Sequence, residues 1–214
     1  MLQYLRTSGD VVRAALEQHI VLALLPVLLG LLIALPVGYV AHRYRWLYPP
    51  LLGVSSILYA VPSLALFVVL PVILGTQILD PLNIVVALTV YTVALLVRTV
   101  VDGLSSVPPA VTAAATALGF KRIGLLLRVE LPIAVPVILA GLRVATVSNV
   151  SLVSVGALLG VGGLGALFTD GLQRDYLAPI ITGIVLSVLL ALVLDTLIVL
   201  VQRVLTPWSR VGAR

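Results

Sequence analysis

An all-α, polytopic membrane protein of about five spanning helices, with room for a sixth, is the fold class this sequence predicts. Three observations carry it. Of the 214 residues, 61% are hydrophobic and only 10% charged, against about 45–50% and about 25% in soluble domains. The mean hydropathy is +1.24, more apolar surface than a soluble core of this size can hide, so lipid is the main solvent. The apolar residues also gather into long blocks, near 20–41, 50–74, 83–101, 132–158 and 178–201. At about 1.5 Å per residue, each block crosses a hydrocarbon layer of about 30 Å. None is built of the short period-two segments of a membrane barrel.

Before the first block, residues 9–19, "GDVVRAALEQH", have the composition of an amphipathic helix lying on the membrane surface. Polar residues persist through Gln18 and the following apolar run outlasts a signal-peptide core, so the run is expected to stay as a span. His19 and His42 flank this block at opposite ends. That separation makes them helix-end residues rather than a metal pair. Pro26, Pro36, Pro62, Pro71 and Pro136 fall inside blocks, which predicts kinked helices whose freed carbonyls find partners in neighbouring helices. The absence of cysteine removes disulfides and thiolate metal sites.

Arginine placement orients the spans. Arg43 and Arg45 lie in the first connection, Arg98, Lys121, Arg122 and Arg128 in or beside the third, and Arg203, Arg210 and Arg214 in the tail. With five spans these share one side, the cytoplasmic one. The opposite side has "GTQILDP" and Arg174, beside Asp170 and Asp175. The N-terminus, where Arg6 and Arg13 are offset by Asp10 and Glu17, is expected outside. Trp46 and Trp208 fall on the inner boundary. The net charge of +5 is thus a membrane bias, and no nucleic-acid groove is expected.

Most connections are short, but 103–131 reads "GLSSVPPAVTAAATALGFKRIGLLLRVEL". Pro108 and Pro109 open a helix, "AVTAAATAL" propagates it, and Gly119 closes it. "FKRIGLLLRVE" makes a second short helix, stopped by Leu131-Pro132. The result is a helix–glycine–helix knob. Small side chains at Ala113, Ala114 and Ala115 suit close docking against another surface.

The run Ala114-Ala115, Gly119, then Val129-Glu130-Leu131-Pro132 resembles the E-A-A-x3-G-x9-I-x-L-P signature of ABC importer permeases. The glycine-to-Leu-Pro spacing matches in full. Ala113 stands where the signature has Glu, which removes one charged contact. "RVELPIAVPVILAGLRVATV", "GALLGVGGLG" and "YAVPSLALFVVL" further resemble the glycine betaine, carnitine and choline permeases, and parts are shared with methionine permeases. The resemblance covers most of residues 20–200.

What the resemblance implies is an import subunit of the bacterial inner membrane. Its knob, with Ala113, Ala114, Ala115, Gly119, Lys121, Arg122, Leu131 and Pro132, would fit a groove on a separate ATPase that holds ATP and Mg. A second permease, identical or homologous, and an external solute-binding protein complete the assembly. The chain itself has no Gly-Lys-[Ser/Thr] phosphate loop, so no cofactor is expected in it, and no nucleophile set or metal cluster marks it as an enzyme. The expected cargo is a compatible solute, with methionine or another small polar nutrient as the alternative.

Within the spans, Asp195 is an intramembrane carboxylate. It reads either as half of a pair with an arginine such as Arg98 or Arg143, or as the coupling site of an ion-driven transporter. Ser148, Asn149, Ser151 and Ser154 line a watery pathway or bond between helices. Gly160, Gly162 and Gly165 spell a dinucleotide fingerprint within "GVGGLG", which also holds Gly163, but a span precedes them and no acid follows about twenty residues on. A gate element at the outer mouth is the expectation there.

Overall fold

The computed structural model describes residues 2–208, with side chains from Tyr4 onward. Arg210 and Arg214 of the basic tail lie outside the described residues. The chain runs α1 (Leu2–Thr7), α2 (Gly9–Arg43), α3 (Tyr48–Ala60), α4 (Ser63–Leu74), α5 (Pro81–Ser105), α6 (Pro109–Ala117), α7 (Arg122–Leu125), α8 (Leu131–Gly156), α9 (Gly165–Gln173) and α10 (Leu177–Leu205). A wide turn, Leu126–Glu130, joins α7 to α8, and a tight one, Ala157–Leu159, ends α8. No strand occurs among the described residues.

Four helical stretches are long and apolar enough to cross a membrane: α2, α5, α10 and the continuous Arg122–Leu159 rod that contains α8. The block expected as one span over 50–74 is broken into α3 and α4, bent by 101°, and counts as a fifth span where the pair is taken together. Pro62 accounts for the break. The residue before a proline avoids the helical region, and Val61 sits extended at φ −64°, ψ 128°. Its carbonyl accepts from the Tyr91 hydroxyl at 2.5 Å, which satisfies in lipid a group the broken helix left free.

Two further expectations are corrected. Residues 9–19 are no surface helix but the first turns of α2, because nothing interrupts the chain there. Val12, Ala15, His19, Leu22 and Pro26 bury one stripe at three-to-four-residue spacing. Leu131-Pro132 likewise stops no helix. The Leu131 N–H bonds to the Leu126 carbonyl, one residue wider than an α turn. That widening lets Pro132 enter within the first turn of α8, where a missing N–H is tolerated.

Lipid supplies no hydrophobic drive for helices to associate, so close packing has to do it. α5 is the central helix, with α2, α3, α4 and α8 around it and α10 laid on α8. A Cβ at Gly30 would collide with Thr92, one at Gly38 with Val100, and one at Gly141 with Thr99. Glycine is therefore what lets α2 and α8 reach α5. The largest core, including Leu22, Phe67, Leu88, Val153 and Leu164, lies at the α1 end. Leu32, Val72, Leu192 and Val204 point outward, as lipid-facing residues of a span do.

Gly38→Val should therefore push α2 away from α5 and cost about 1–3 kcal/mol, read as a lower Tm in detergent. Gly53→Ala on α3 has open space around its new Cβ and should leave Tm unchanged or slightly raised.

Candidate functional site

The knob forms as its residues dictate. Pro108 caps α6 in extended conformation and Pro109 takes its first turn. Gly119 has φ +85°, a conformation costing an L-residue about 1–2 kcal/mol. Its N–H donates to Thr116 O and that of Phe120 to Ala115 O, which turns the chain into α7. Ala113, Ala114, Lys121 and Arg122 are exposed on this knob, while Ala115 is buried beneath it. Leu131 and Pro132 are half-buried at the root of α8.

Sequence reasoning passed over the most exposed large apolar groups here. Leu118 is 81% exposed and Ile123 73%, beside the basic pair Lys121 and Arg122. Two bulky aliphatic residues flanking Gly119-Phe120-Lys121-Arg122 were the available signal. Under the knob, two clefts of about 760 and 770 Å³ share His42 and Glu130 in their walls. His42 Nδ1 lies 3.1 Å from Ser105 Oγ, and the Tyr48 hydroxyl donates to Asp102 at 3.1 Å. These bonds fasten α2 and α3 to the end of α5 from which the knob hangs.

At the far end of the rod, Gly160 (φ +81°) and Gly163 (φ +76°) reverse the chain. The turn docks on α2. Gln18 Oε1 accepts from the Gly163 N–H at 3.0 Å, and His19 Nδ1 accepts from the Leu164 N–H at 3.1 Å. His19 Nε2 lies 3.0 Å from Val150 O. A ring accepting at Nδ1 and bonding a carbonyl at Nε2 is neutral, with its proton on Nε2. His19 is thus no helix-end residue but a fully buried three-way clamp. Gly162 presses against Gln18, and Gly165 against Ser154 O and Ala157. Since Gln18 and His19 occupy the amides of Gly163 and Leu164, these cannot cradle a phosphate.

The polar set on α8 divides. Asn149 is buried and donates to Thr92 Oγ1 at 3.1 Å and Ala23 O at 3.4 Å, pinning α2, α5 and α8 together. Ser148 lines a small cleft with Tyr59 and Tyr91, Ser151 is exposed, and Ser154 lies beneath Gly165. Asp195 on α10 accepts from Arg143 on α8 through both oxygens, at 2.6 and 2.8 Å. This bidentate pair is the arrangement Arg and carboxylate make best. Arg98 approaches Asp102 at 3.7 Å. At the α1 end, Arg13 pairs with Glu17 and Arg174 with Asp170.

Residues 27–211 match the family described as "Binding-protein-dependent transport system inner membrane component". The chain is 34% identical over 209 residues to an osmoprotectant import permease of Salmonella typhimurium, covering 96% of this chain and 97% of that one. A choline transport system permease of Bacillus subtilis is 31% identical, covering 97% and 94%. Among solved structures, an inward-facing form of the MetNI methionine ABC transporter superposes with TM-score 0.81 at 22% identity, over 94% of this chain and 98% of that one. An amino acid ABC transporter superposes with TM-score 0.74 at 18% identity, over 92% and 95%.

His19→Ala should leave the buried Leu164 N–H unpaired, at about 1–3 kcal/mol, and take from the Val150 carbonyl its bond to the ring beyond the one made within α8, lowering Tm accordingly. For Arg143 and Asp195, either single substitution, Arg143→Asp or Asp195→Arg, should lower Tm, and the double exchange should recover most of the loss. Failure of the exchange to recover would show that the two charges act separately.

Proposed function

This chain belongs to the family of binding-protein-dependent transport system inner membrane components, and we propose that its cargo is a compatible solute bearing a quaternary ammonium, such as glycine betaine, carnitine or choline. It is the translocation subunit of an ATP-driven importer and not itself an enzyme. The observation that carries the solute reading is identity of 34% and 31% across nearly the whole chain to osmoprotectant and choline permeases. The methionine and amino-acid transporters share the fold at lower identity.

In the assembly we propose, two such permeases, identical or homologous, face each other, each with its knob on an ATPase that holds ATP and Mg. An external binding protein delivers the solute. The knob end is cytoplasmic, in keeping with Arg43, Arg45, Lys121, Arg122 and Arg128 gathered there. Leu118 and Ile123 are the apolar anchors of the docking surface, with Ala113 and Ala114 allowing close approach where the signature Glu is absent. Lys121 and Arg122 add charge at its rim.

Closure of the ATPases then moves the knobs. Because the Arg122–Leu159 rod is unbroken, displacement at α7 reaches the glycine turn at its other end. There Gly162 and Gly163 rest on Gln18 and His19, Gly160 on Leu79, and Gly165 on Ser154 and Ala157, and a change in those contacts opens or closes the outer mouth. Ser148 and Ser151 line the path. Asp195 has no coupling role in this scheme, since Arg143 holds both its oxygens.

Reconstitution with its ATPase and binding protein in liposomes should give ATP-dependent uptake of labelled glycine betaine or choline. Uptake of methionine alone would overturn the solute assignment. Uptake under an ion gradient by this chain alone would overturn the mechanism. Leu118→Glu and Ile123→Glu should abolish copurification of the ATPase and uptake together while leaving Tm within about a degree, because both side chains stand in solvent.

A further inference from the structure

A cavity of about 450 Å³ opens between α3 and α5 in the membrane-crossing part of the chain, and neither the knob nor the glycine turn uses it. Its polar lining is Ser55, Ser56 and Tyr59 from α3 with Arg98 and Thr99 from α5. The three α3 residues share one helix face. Polar side chains at this depth turn away from lipid, toward one another or toward a watery path. No residue of α3 is buried among the described residues, so the helix keeps an open face beside the cavity.

Its two ends differ in chemistry. The Tyr59 ring meets Tyr91 edge to face, with centroids 6.0 Å apart and planes at 88°. The Tyr91 hydroxyl is anchored on Val61 O. Tyr59 is therefore held in place yet half exposed. Arg98 stands two helical turns further along α5, about 10 Å nearer the knob. Its contact with Asp102 is 3.7 Å, longer than a hydrogen bond, and Asp102 accepts instead from Tyr48. The Arg98 guanidinium keeps donors for a carboxylate arriving from the cavity. The Thr99 hydroxyl donates to Leu95 O and still has lone pairs to offer.

We propose that this cavity is a solute site within the permease, where the Tyr59 ring receives a quaternary ammonium and Arg98 takes the carboxylate of the same solute. The inference rests on the quaternary-ammonium reading above and deepens it. Methyl groups on nitrogen leave such a cation no N–H to donate, so an aromatic face suits it better than a hydroxyl does. A guanidinium binds a carboxylate through two parallel bonds. Ser55, Ser56 and Thr99 line the span between the two groups, and the volume is within the usual range of small-molecule sites, about 300–1,000 Å³.

The test compares two solutes in the complete reconstituted transporter: glycine betaine, which carries a carboxylate, and choline, which does not. Arg98→Gln should lower kcat for betaine uptake roughly tenfold and change choline uptake less than about twofold. Tyr59→Leu should lower both roughly tenfold, and Tyr59→Phe, which keeps the ring, should restore both. A folding defect cannot produce that split between solutes. If Arg98→Gln and Tyr59→Leu carry both solutes at wild-type rates, or Arg98→Gln loses both equally, the site is overturned while wild-type uptake leaves the solute reading standing. If the wild-type transporter carries neither, the solute reading falls and the site falls with it.

Discussion

Everything in this subunit depends on how closely α2 can approach α5. In water, burying apolar surface would hold the two helices together, but lipid is as apolar as leucine and rewards only contact. Gly30 and Gly38 remove the side chains that would keep Thr92 and Val100 at a distance. With α2 seated, its Ala23 carbonyl comes within reach of Asn149 and its His19 within reach of Val150 and Leu164. α8 and the glycine turn are positioned by those bonds. Widening the α2–α5 contact would loosen each of them in turn.

The second constraint is that polar groups must find partners inside the protein. Hydroxyls such as Thr99 bond back within their own helix, but several buried partners join separate elements. Tyr91 on α5 serves the carbonyl freed at the α3–α4 break, Asn149 joins three helices, and His19 joins α2, α8 and the turn before α9. Arg143 and Asp195 attach α10, which otherwise contributes little to the buried core. Hydrogen bonds that would be ordinary in a soluble protein thus fix the topology of this one.

The blocks of apolar residues and the spacing around Gly119 made the helices and the knob legible in advance, since both are local patterns. Which proline breaks a helix was not. Pro26, Pro36, Pro71 and Pro136 lie inside continuous helices, and only Pro62 divides its block. The difference is the Tyr91 hydroxyl waiting beside Val61, a partner from a distant part of the chain. His19 was misread for the same reason: its three-way role comes from Val150 and Leu164, far along the sequence. The pairing of Asp195 was half legible, as an expected arginine partner among two named candidates. Arg98 and Tyr59 meet at one cavity only because α3 and α5 pack side by side, and no spacing rule reveals that.

The wide turn at Leu126–Glu130 has a consequence for how the knob faces its partner. A turn of this kind amounts to one residue inserted into an α-helix, and each residue advances a helix by about 100°. Everything before the turn is therefore rotated by that angle relative to the bundle. Leu118, Ile123 and the basic pair point where they do because of a count of residues, not because of any contact they make. The compass bearing of the knob is written in a single surplus residue, and it is set independently of the chemistry of the surface it presents.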